Sequence, residues 1–412
     1  MLNQELKNTL TFILAGGRGE RLKPLTELRA KPAVPFGGNY RIIDFTLSNC
    51  IHSGLRRIFV LTQYQTRSLE EHIRFGWNFL PRRLEQFIVT RPPQHGAQRS
   101  WYLGTADAIY HNIDSIKSER PDHVVVLSGD HIYRMDYGKM LQDHLRNDAH
   151  LTIGAVRIPT EDSRRFGILE VDEREQVQSF LEKPERGPEI PGSPGMSLGS
   201  MGIYIFQREE LIRRLEEDHA LGDKSGHDFG HDVIPRMIPE GKVYAHHFVE
   251  DEGTARPSYW RDVGTIDAYF DANLDLCNPE PQFNLHNQDW PTYTQWHNEP
   301  PAKTLCYGDE GRASVVDSLI CPGVVVDGAE VKKSILSNRV HIGRNAKLEE
   351  SILFRGAEVG EGARLRRTIV DKWTKIPAGE SIGYDLDRDR ERFVVSPEGV
   401  VVVPRQFKFD GS

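Results

Sequence analysis

The sequence has few cysteines, no long apolar run and no excess of basic residues, and each lack removes a class of function. Its four cysteines, Cys50, Cys277, Cys306 and Cys321, form no Cys-x-x-Cys pair among 412 residues. Neither a zinc knot nor a disulfide framework is expected, and scattered thiols suit a reducing, cytoplasmic setting. No window approaches the roughly eighteen unbroken apolar residues of a membrane span. The opening Met1-Leu2-Asn3-Gln4-Glu5 lacks a basic lead into an apolar stretch, so no signal peptide is expected. A formal net charge of −8 argues against a general nucleic-acid binder, which needs a basic surface. There is no Gly-x-Ser-x-Gly elbow of a serine hydrolase. The histidines show no metal-ligand spacing; His246 and His247 are adjacent and would face opposite sides of a strand.

A chain of 412 residues exceeds one ordinary core, so two domains are expected. In the first two-thirds, short apolar runs recur at Leu10 to Ala15, Arg57 to Leu61, Val124 to Leu127, Leu151 to Val156 and Met201 to Phe206. Amphipathic stretches such as Tyr137 to Asn147 and Arg208 to Glu217 lie between some of them. Strands with little alternation, separated by helices, imply an α/β domain with a mostly parallel sheet buried on both faces. Ligands then bind at the carboxyl ends of the strands. The boundaries read as a catalytic domain over residues 1–276, an ordered linker over 277–307 and a second domain over 308–412. Trp290, Tyr293 and Trp296 make the linker too apolar for a free tether.

The second domain carries a repeat. Val325, Ile342, Val359 and Ile376 are spaced by seventeen residues, as are Val331, Leu348, Leu365 and Ile382, and Leu336, Leu353 and Val370. Gly328, Asn345, Gly362 and Gly379 keep the same phase at turn positions. One inward residue about every six, with three such steps per turn, predicts a triangular parallel β-helix of the hexapeptide type. The polar tail from Asp385 can cap its end.

Chemistry gathers at a few points. The first strand runs into Ala15-Gly16-Gly17-Arg18-Gly19-Glu20-Arg21-Leu22. Glycines let backbone N–H groups approach a phosphate, and a following helix adds its positive end. Leu22 stands where a dinucleotide fingerprint needs a third glycine, and the phosphate-loop lysine motif is absent. Arg18, Arg21 and Lys31 instead offer three cations to a triphosphate; a glycine turn with solvated charges is the plainer alternative. Asp130 follows the run Val124 to Leu127, where a carboxylate can hold magnesium beside phosphates. Asp262 is a second candidate, and a turn or cap is the competing reading for either aspartate. Lys183, before Pro184, can bind phosphate as a point charge. Trp101-Tyr102-Leu103-Gly104-Thr105 sets aromatics beside small residues, suited to a base or a sugar, with core packing the rival for Trp101.

These stretches, with Arg29-Ala30-Lys31-Pro32, Arg41-Ile42-Ile43-Asp44-Phe45, Ser128-Gly129-Asp130-His131, Glu182-Lys183-Pro184, His227-Asp228-Phe229-Gly230 and Trp260-Arg261-Asp262, resemble the bacterial glucose-1-phosphate adenylyltransferase (ADP-glucose pyrophosphorylase) family over nearly the whole chain. The resemblance implies a Rossmann-like nucleotidyltransferase domain joined to a C-terminal left-handed parallel β-helix, a homotetramer, Mg²⁺ as cofactor, and ATP and glucose 1-phosphate as substrates for glycogen synthesis. It implies triphosphate contacts from Arg18 and Lys31, metal ligands in Asp130 and Asp262, and ATP binding by Gly16, Gly17, Gln63 and Gly104. Glucose 1-phosphate contacts are implied at Tyr102, Gly167, Glu182, Lys183, Ser200, Asp228, Phe229 and Trp260. A small-molecule effector site is implied, with Arg29, Arg41 and Arg367 as candidates. Leu28 stands where enterobacterial-type relatives carry a lysine that contacts a sugar-bisphosphate activator, so a different effector is expected. Three rivals remain: the same chemistry with another nucleotide or sugar phosphate, a non-catalytic regulatory subunit, and a hexapeptide acyltransferase, for which His341 is the one histidine inside the repeat.

Overall fold

The computed structural model describes residues 2–93, 101–249, 258–306 and 313–409. Its N-terminal domain is built on a nine-stranded sheet: β1 (Thr9–Leu14), β2 (Arg57–Leu61), β3 (Phe87–Arg91), β4 (His123–Ser128), β5 (Leu151–Pro159), β6 (Gly167–Val171), β7 (Val177–Glu182), β8 (Met196–Gln207) and β9 (Val243–His247). The path runs β7-β6-β8-β4-β1-β2-β3, with β5 along β8 and β9 on β5. From β3 through β4 every pairing is parallel. Beyond β4, β8 runs antiparallel to β4, β5 and β6, and β7 is antiparallel to β6. The apolar runs expected as strands are β1, β2, β4, β5 and β8, and the two amphipathic stretches are the helices Tyr137–Arg146 and Arg208–Ala220.

The lack of alternation in these strands has a direct cause. Val125 and Leu127 of β4 enter one buried cluster with Ile13, while Val124 and Val126 enter another with Leu10 and Phe12. Both faces of the sheet are covered, so both parities must be apolar.

The second domain has three parallel ladders that form the sides of a hexapeptide β-helix. Val331 pairs with Leu348 and then Leu365, and Leu336 with Leu353 and then Val370, as the period predicts. The first column is corrected by one residue. Val326, fully buried, pairs with Ile342, whereas Val325 is half-buried and pairs with His341. Three valines in sequence, Val324 to Val326, leave the parity of that coil open, and stacking on the next coil decides it. The turn positions Gly328, Asn345, Gly362 and Gly379 all have left-handed backbone, with φ of 58°, 58°, 68° and 71°. Strand Lys303–Leu305, inside the span expected as linker, already pairs with Val325–Asp327.

The linker is fastened to helix Ile42–His52. Tyr293 N–H donates to Ser48 Oγ (2.8 Å), Trp290 Nε1 to Asn49 Oδ1 (3.1 Å) and Thr294 Oγ1 to Asp44 Oδ2 (2.6 Å). Asp44 is fully buried and also meets His72 Nε2 (2.5 Å) and Trp77 Nε1 (2.9 Å). The motif Arg41 to Phe45 thus holds a structural hub. Trp296 does not share this anchoring; it is 83% exposed. Among the described residues, no helix is long and apolar enough to cross a membrane.

Candidate functional site

The parallel strands β1 and β4 end side by side, with Leu14 opposite Ser128. Gly129 N–H donates to the Leu14 carbonyl (3.0 Å). A Cβ at Gly129 would lie 2.7 Å from Ile43 and 2.9 Å from Ile13, so a larger residue here would have to displace those side chains. The bend here places Asp130 at the carboxyl edge of the sheet. The short strand His131–Tyr133 then pairs antiparallel with Trp260–Asp262, setting Asp262 opposite His131. This pairing is what brings the second aspartate to the first, and no local pattern announces it.

Lys31 spans the two carboxylates. Its Nζ donates to Asp130 Oδ2 and to Asp262 Oδ1, each at 2.9 Å. Ser128 Oγ donates to Asp130 Oδ1, and His131 Nε2 lies 3.4 Å from the same oxygen. Burial opposes ionisation of Asp130, but Lys31, His131 and Ser128 outweigh it and hold the carboxyl well below the usual range. Asp262 follows the same logic: burial raises it and Lys31 pulls it down further. Burial lowers Lys31, and the two carboxylates more than reverse this, so it stays protonated. The result is a compact set of fixed charges at the strand ends.

The glycine loop contributes less helix than expected. Only a three-residue 3₁₀ turn, Glu20–Leu22, follows it, because Pro24 arrives two residues later. The loop therefore offers exposed backbone and arginines rather than a helix end. Arg18 lies over the Tyr64 ring at 5.4 Å, and Tyr64 neighbours Trp101 with ring centroids 5.8 Å apart. Trp101 is 48% exposed, so it is not a core residue. Gln63 packs against Gly16, where a Cβ would come within 2.9 Å, and its Nε2 donates to the Tyr102 carbonyl (3.4 Å). Gly104 sits so close to the His227 carbonyl that a Cβ would lie 2.3 Å from it. Gly16, Gln63 and Tyr102 are thus linked beside the loop, while Gly104 packs on the Gly226–His227 backbone.

Asp262, with Ser128 and Leu14 at the strand ends, borders a cavity of about 200 Å³. Gly167, Glu182, Lys183, Ser200, Asp228 and Trp260 line it, as do Arg165 and His131. The register of β8 breaks between Ser200 and Tyr204, beside Gly202 with φ 68°, where Ser200 meets the cavity. Asp228 is clasped by Thr105 Oγ1 (2.9 Å) and accepts from Gly230 and His231 N–H. Phe229 departs from the expectation for a sugar contact: its side chain is buried in the core against Tyr204 and Phe206, and only its backbone N–H reaches Thr105. Its ring fills the apolar face under the loop that Asp228 caps. Tyr102 also lies outside the cavity lining, with its ring near His111.

The effector candidates separate. Arg29 is buried at the domain junction, where Nη2 donates to both oxygens of Asp371 (2.8 and 2.9 Å). Arg41 donates to the Ser68 carbonyl and Oγ, and burial brings its pKa down to about 10 despite Asp44. Arg367 lies elsewhere, beside Glu350 and over the Phe270 ring (5.2 Å), in a separate cleft of about 1000 Å³ between the domains. Arg29 and Arg41 are not part of that cleft's lining, so the cleft gathers only Arg367 of the three. Two groups that sequence reasoning passed over join the picture: Lys372 beside Arg29 and Arg41, and Arg165 beside Asp262. Nothing local marks either: Arg165 is the second of two arginines in a polar turn, and Lys372 is a lone lysine between Asp371 and Trp373.

The nucleotidyl transferase family model matches residues 10–278, and the GlmU-like, C-terminal hexapeptide model matches 300–403. The chain is 45% identical to glucose-1-phosphate adenylyltransferase of Dechloromonas aromatica, over 98% of this chain and 93% of that protein. It is 48% identical to glucose-1-phosphate adenylyltransferase 2 of Vibrio cholerae (98% and 99% covered) and 50% identical to that of Vibrio vulnificus (98% and 100%).

Proposed function

The chain belongs to the glucose-1-phosphate adenylyltransferase family, and on that premise we propose that it transfers the adenylyl group of ATP to glucose 1-phosphate, giving ADP-glucose and pyrophosphate for glycogen synthesis. The observation that carries the reading is the Lys31 bridge between Asp130 and Asp262, standing between the arginine-bearing loop and the polar cavity. A phosphate oxygen of the sugar phosphate attacks the α-phosphorus, a new P–O bond forms, and pyrophosphate leaves with the electron pair of the bond that breaks. An alkyl phosphate has a second pKa of about 6, so the nucleophile is ionised at neutral pH and needs no general base. Catalysis then rests on alignment and on neutralising charge as it moves.

Arg18, Arg21 and Lys31 serve the triphosphate, and Gly16, Gly17, Gln63 and Gly104 the nucleoside end. Glu182, Lys183, Ser200, Asp228 and Trp260 serve the sugar phosphate. Two ionised oxygen-donor side chains within reach of one ammonium suit magnesium, which commonly takes one or two carboxylates with substrate phosphates. Asp130 and Asp262 are the residues that would hold it; when bound it supplies neutralisation and alignment of phosphate oxygens.

Lys372 is buried among Arg29, Arg41 and Arg405 with Asp371 as the nearby carboxylate, and burial with these cations pushes its ammonium well below its ordinary pKa. Such a cluster suits a small anionic effector at the domain junction. A homotetramer is part of the same proposal, and light scattering of the purified protein tests it. The deciding experiment is pyrophosphate release with each nucleoside triphosphate and each hexose 1-phosphate. Turnover is expected with ATP and glucose 1-phosphate; a preference for UTP or mannose 1-phosphate overturns the assignment.

A further inference from the structure

Arg165 ends the 3₁₀ turn Thr160–Arg165 and precedes Phe166, whose carbonyl accepts from Lys183 N–H (2.9 Å). Gly167 lies opposite Glu182 across β6 and β7. Arg165 and Lys183 are therefore carried to the same rim by paired backbone. Arg165 is half-exposed, and its Nη2 stands 3.9 Å from Asp262 Oδ2. That separation is too long for a hydrogen bond, and Asp262 already accepts from Lys31 through its other oxygen at 2.9 Å. An exposed contact of this kind contributes little to stability. Its guanidinium is available to a ligand.

The cavity also has a charge problem that Arg165 answers. Its charged lining is Arg165 and Lys183 against Glu182, Asp228 and Asp262. Lys183 Nζ is already engaged by Glu182 Oε1 at 2.5 Å. Arg18 and Arg21 lie on the nucleotide loop, and Lys31 is held between carboxylates. Arg21 Nη2 also stands 3.9 Å from Asp262 Oδ2 but is not part of the lining; within the lining, a dianionic phosphate would without Arg165 meet three carboxylates and one partly neutralised ammonium. Guanidinium has the planar fork that fits two phosphate oxygens at once.

We propose that Arg165 is a catalytic residue that grips the phosphate of the sugar 1-phosphate with two N–H donors and presents its free oxygen to the α-phosphorus of the nucleotide. This inference rests on the sugar-phosphate reading of the cavity. Arg165 leaves the nucleotide pole to Arg18, Arg21 and Lys31, so its loss acts on one substrate and spares the other.

The test compares wild type with Arg165→Gln and Arg165→Lys in steady-state pyrophosphate release, varying each substrate at saturating partner. Arg165→Gln is expected to raise KM for glucose 1-phosphate about 10- to 100-fold while KM for ATP stays within about two-fold. Arg165→Lys keeps a point charge without the fork and is expected to fall between. Inhibition by added pyrophosphate is expected to be unchanged. An unaltered KM for glucose 1-phosphate in Arg165→Gln, or a rise in KM for ATP in its place, overturns the proposal. If Arg165→Gln does not melt like wild type, Arg165→Lys decides by the same two constants. Absence of turnover in wild type would instead overturn the assigned reaction, and the two failures are separate.

Discussion

Asp371→Asn should be among the more damaging substitutions at the domain junction, and more damaging than Arg29→Gln. Both side chains are 3% exposed. Removing one partner of such a buried pair costs about 3–5 kcal/mol, because an uncompensated charge is left behind. The two losses are unequal here. Without Asp371, the Arg29 guanidinium faces Arg41 and Lys372, and its Nη1 already lacks a hydrogen-bond partner. Without Arg29, Asp371 keeps the Lys372 backbone N–H (2.6 Å) and the Lys372 ammonium nearby. Asp371→Asn should therefore reach the full penalty, a fall in Tm of roughly 6–20 °C at about 2–4 °C per kcal/mol. Arg29→Gln should cost about 1–3 kcal/mol, the desolvation of a carboxylate with partial compensation. The double substitution should cost less than the sum. Calorimetric melting of the four proteins at pH 7 measures this. A change below about 1 kcal/mol for Asp371→Asn, or a larger loss for Arg29→Gln, refutes the argument.

Asp130→Asn, which keeps shape and removes charge, should lower kcat by about 10²–10³-fold or more in a protein that melts normally; near-normal pyrophosphate release would contradict its place in the site. Val326→Asp should destabilise the β-helix by several kcal/mol, on the order of a buried unpaired charge, while Val325→Asp should cost far less; equal melting temperatures would restore the seventeen-residue column. His144 is buried against Thr152 and the His123 ring, and burial lowers its pKa from 6.5 to about 3. Below pH 6.5 the unfolded imidazole takes a proton that the folded one refuses, so stability falls as pH drops from 6.5 toward 3, at up to about 1.4 kcal/mol per pH unit. Wild type should thus lose about 2 kcal/mol more than His144→Gln between pH 7 and pH 5 in urea unfolding; parallel losses would remove His144 as the cause.

The sequence by itself determined what repeats or stays local. The apolar runs of β1 and β4 require a sheet covered on both faces, and a loop or aspartate just after such strands falls at their carboxyl edge. The seventeen-residue period and its glycine and asparagine corners determined a three-sided coil, because inward side and left-handed turn are properties of single positions. Tertiary structure alone decided which distant groups meet. Asp262 joins Asp130 only through the register of two short strands, and Lys31 is caught between them. Asp371 holds Arg29 in a buried clasp at the domain junction, and the face under Asp228 draws Phe229 into the core. Arg165 acquires its setting in the same way, from the pairing of β6 with β7. A side chain's charge is written in the chain, but its partner depends on long-range register, which a single sequence records only as the sum of all the packing that sets it.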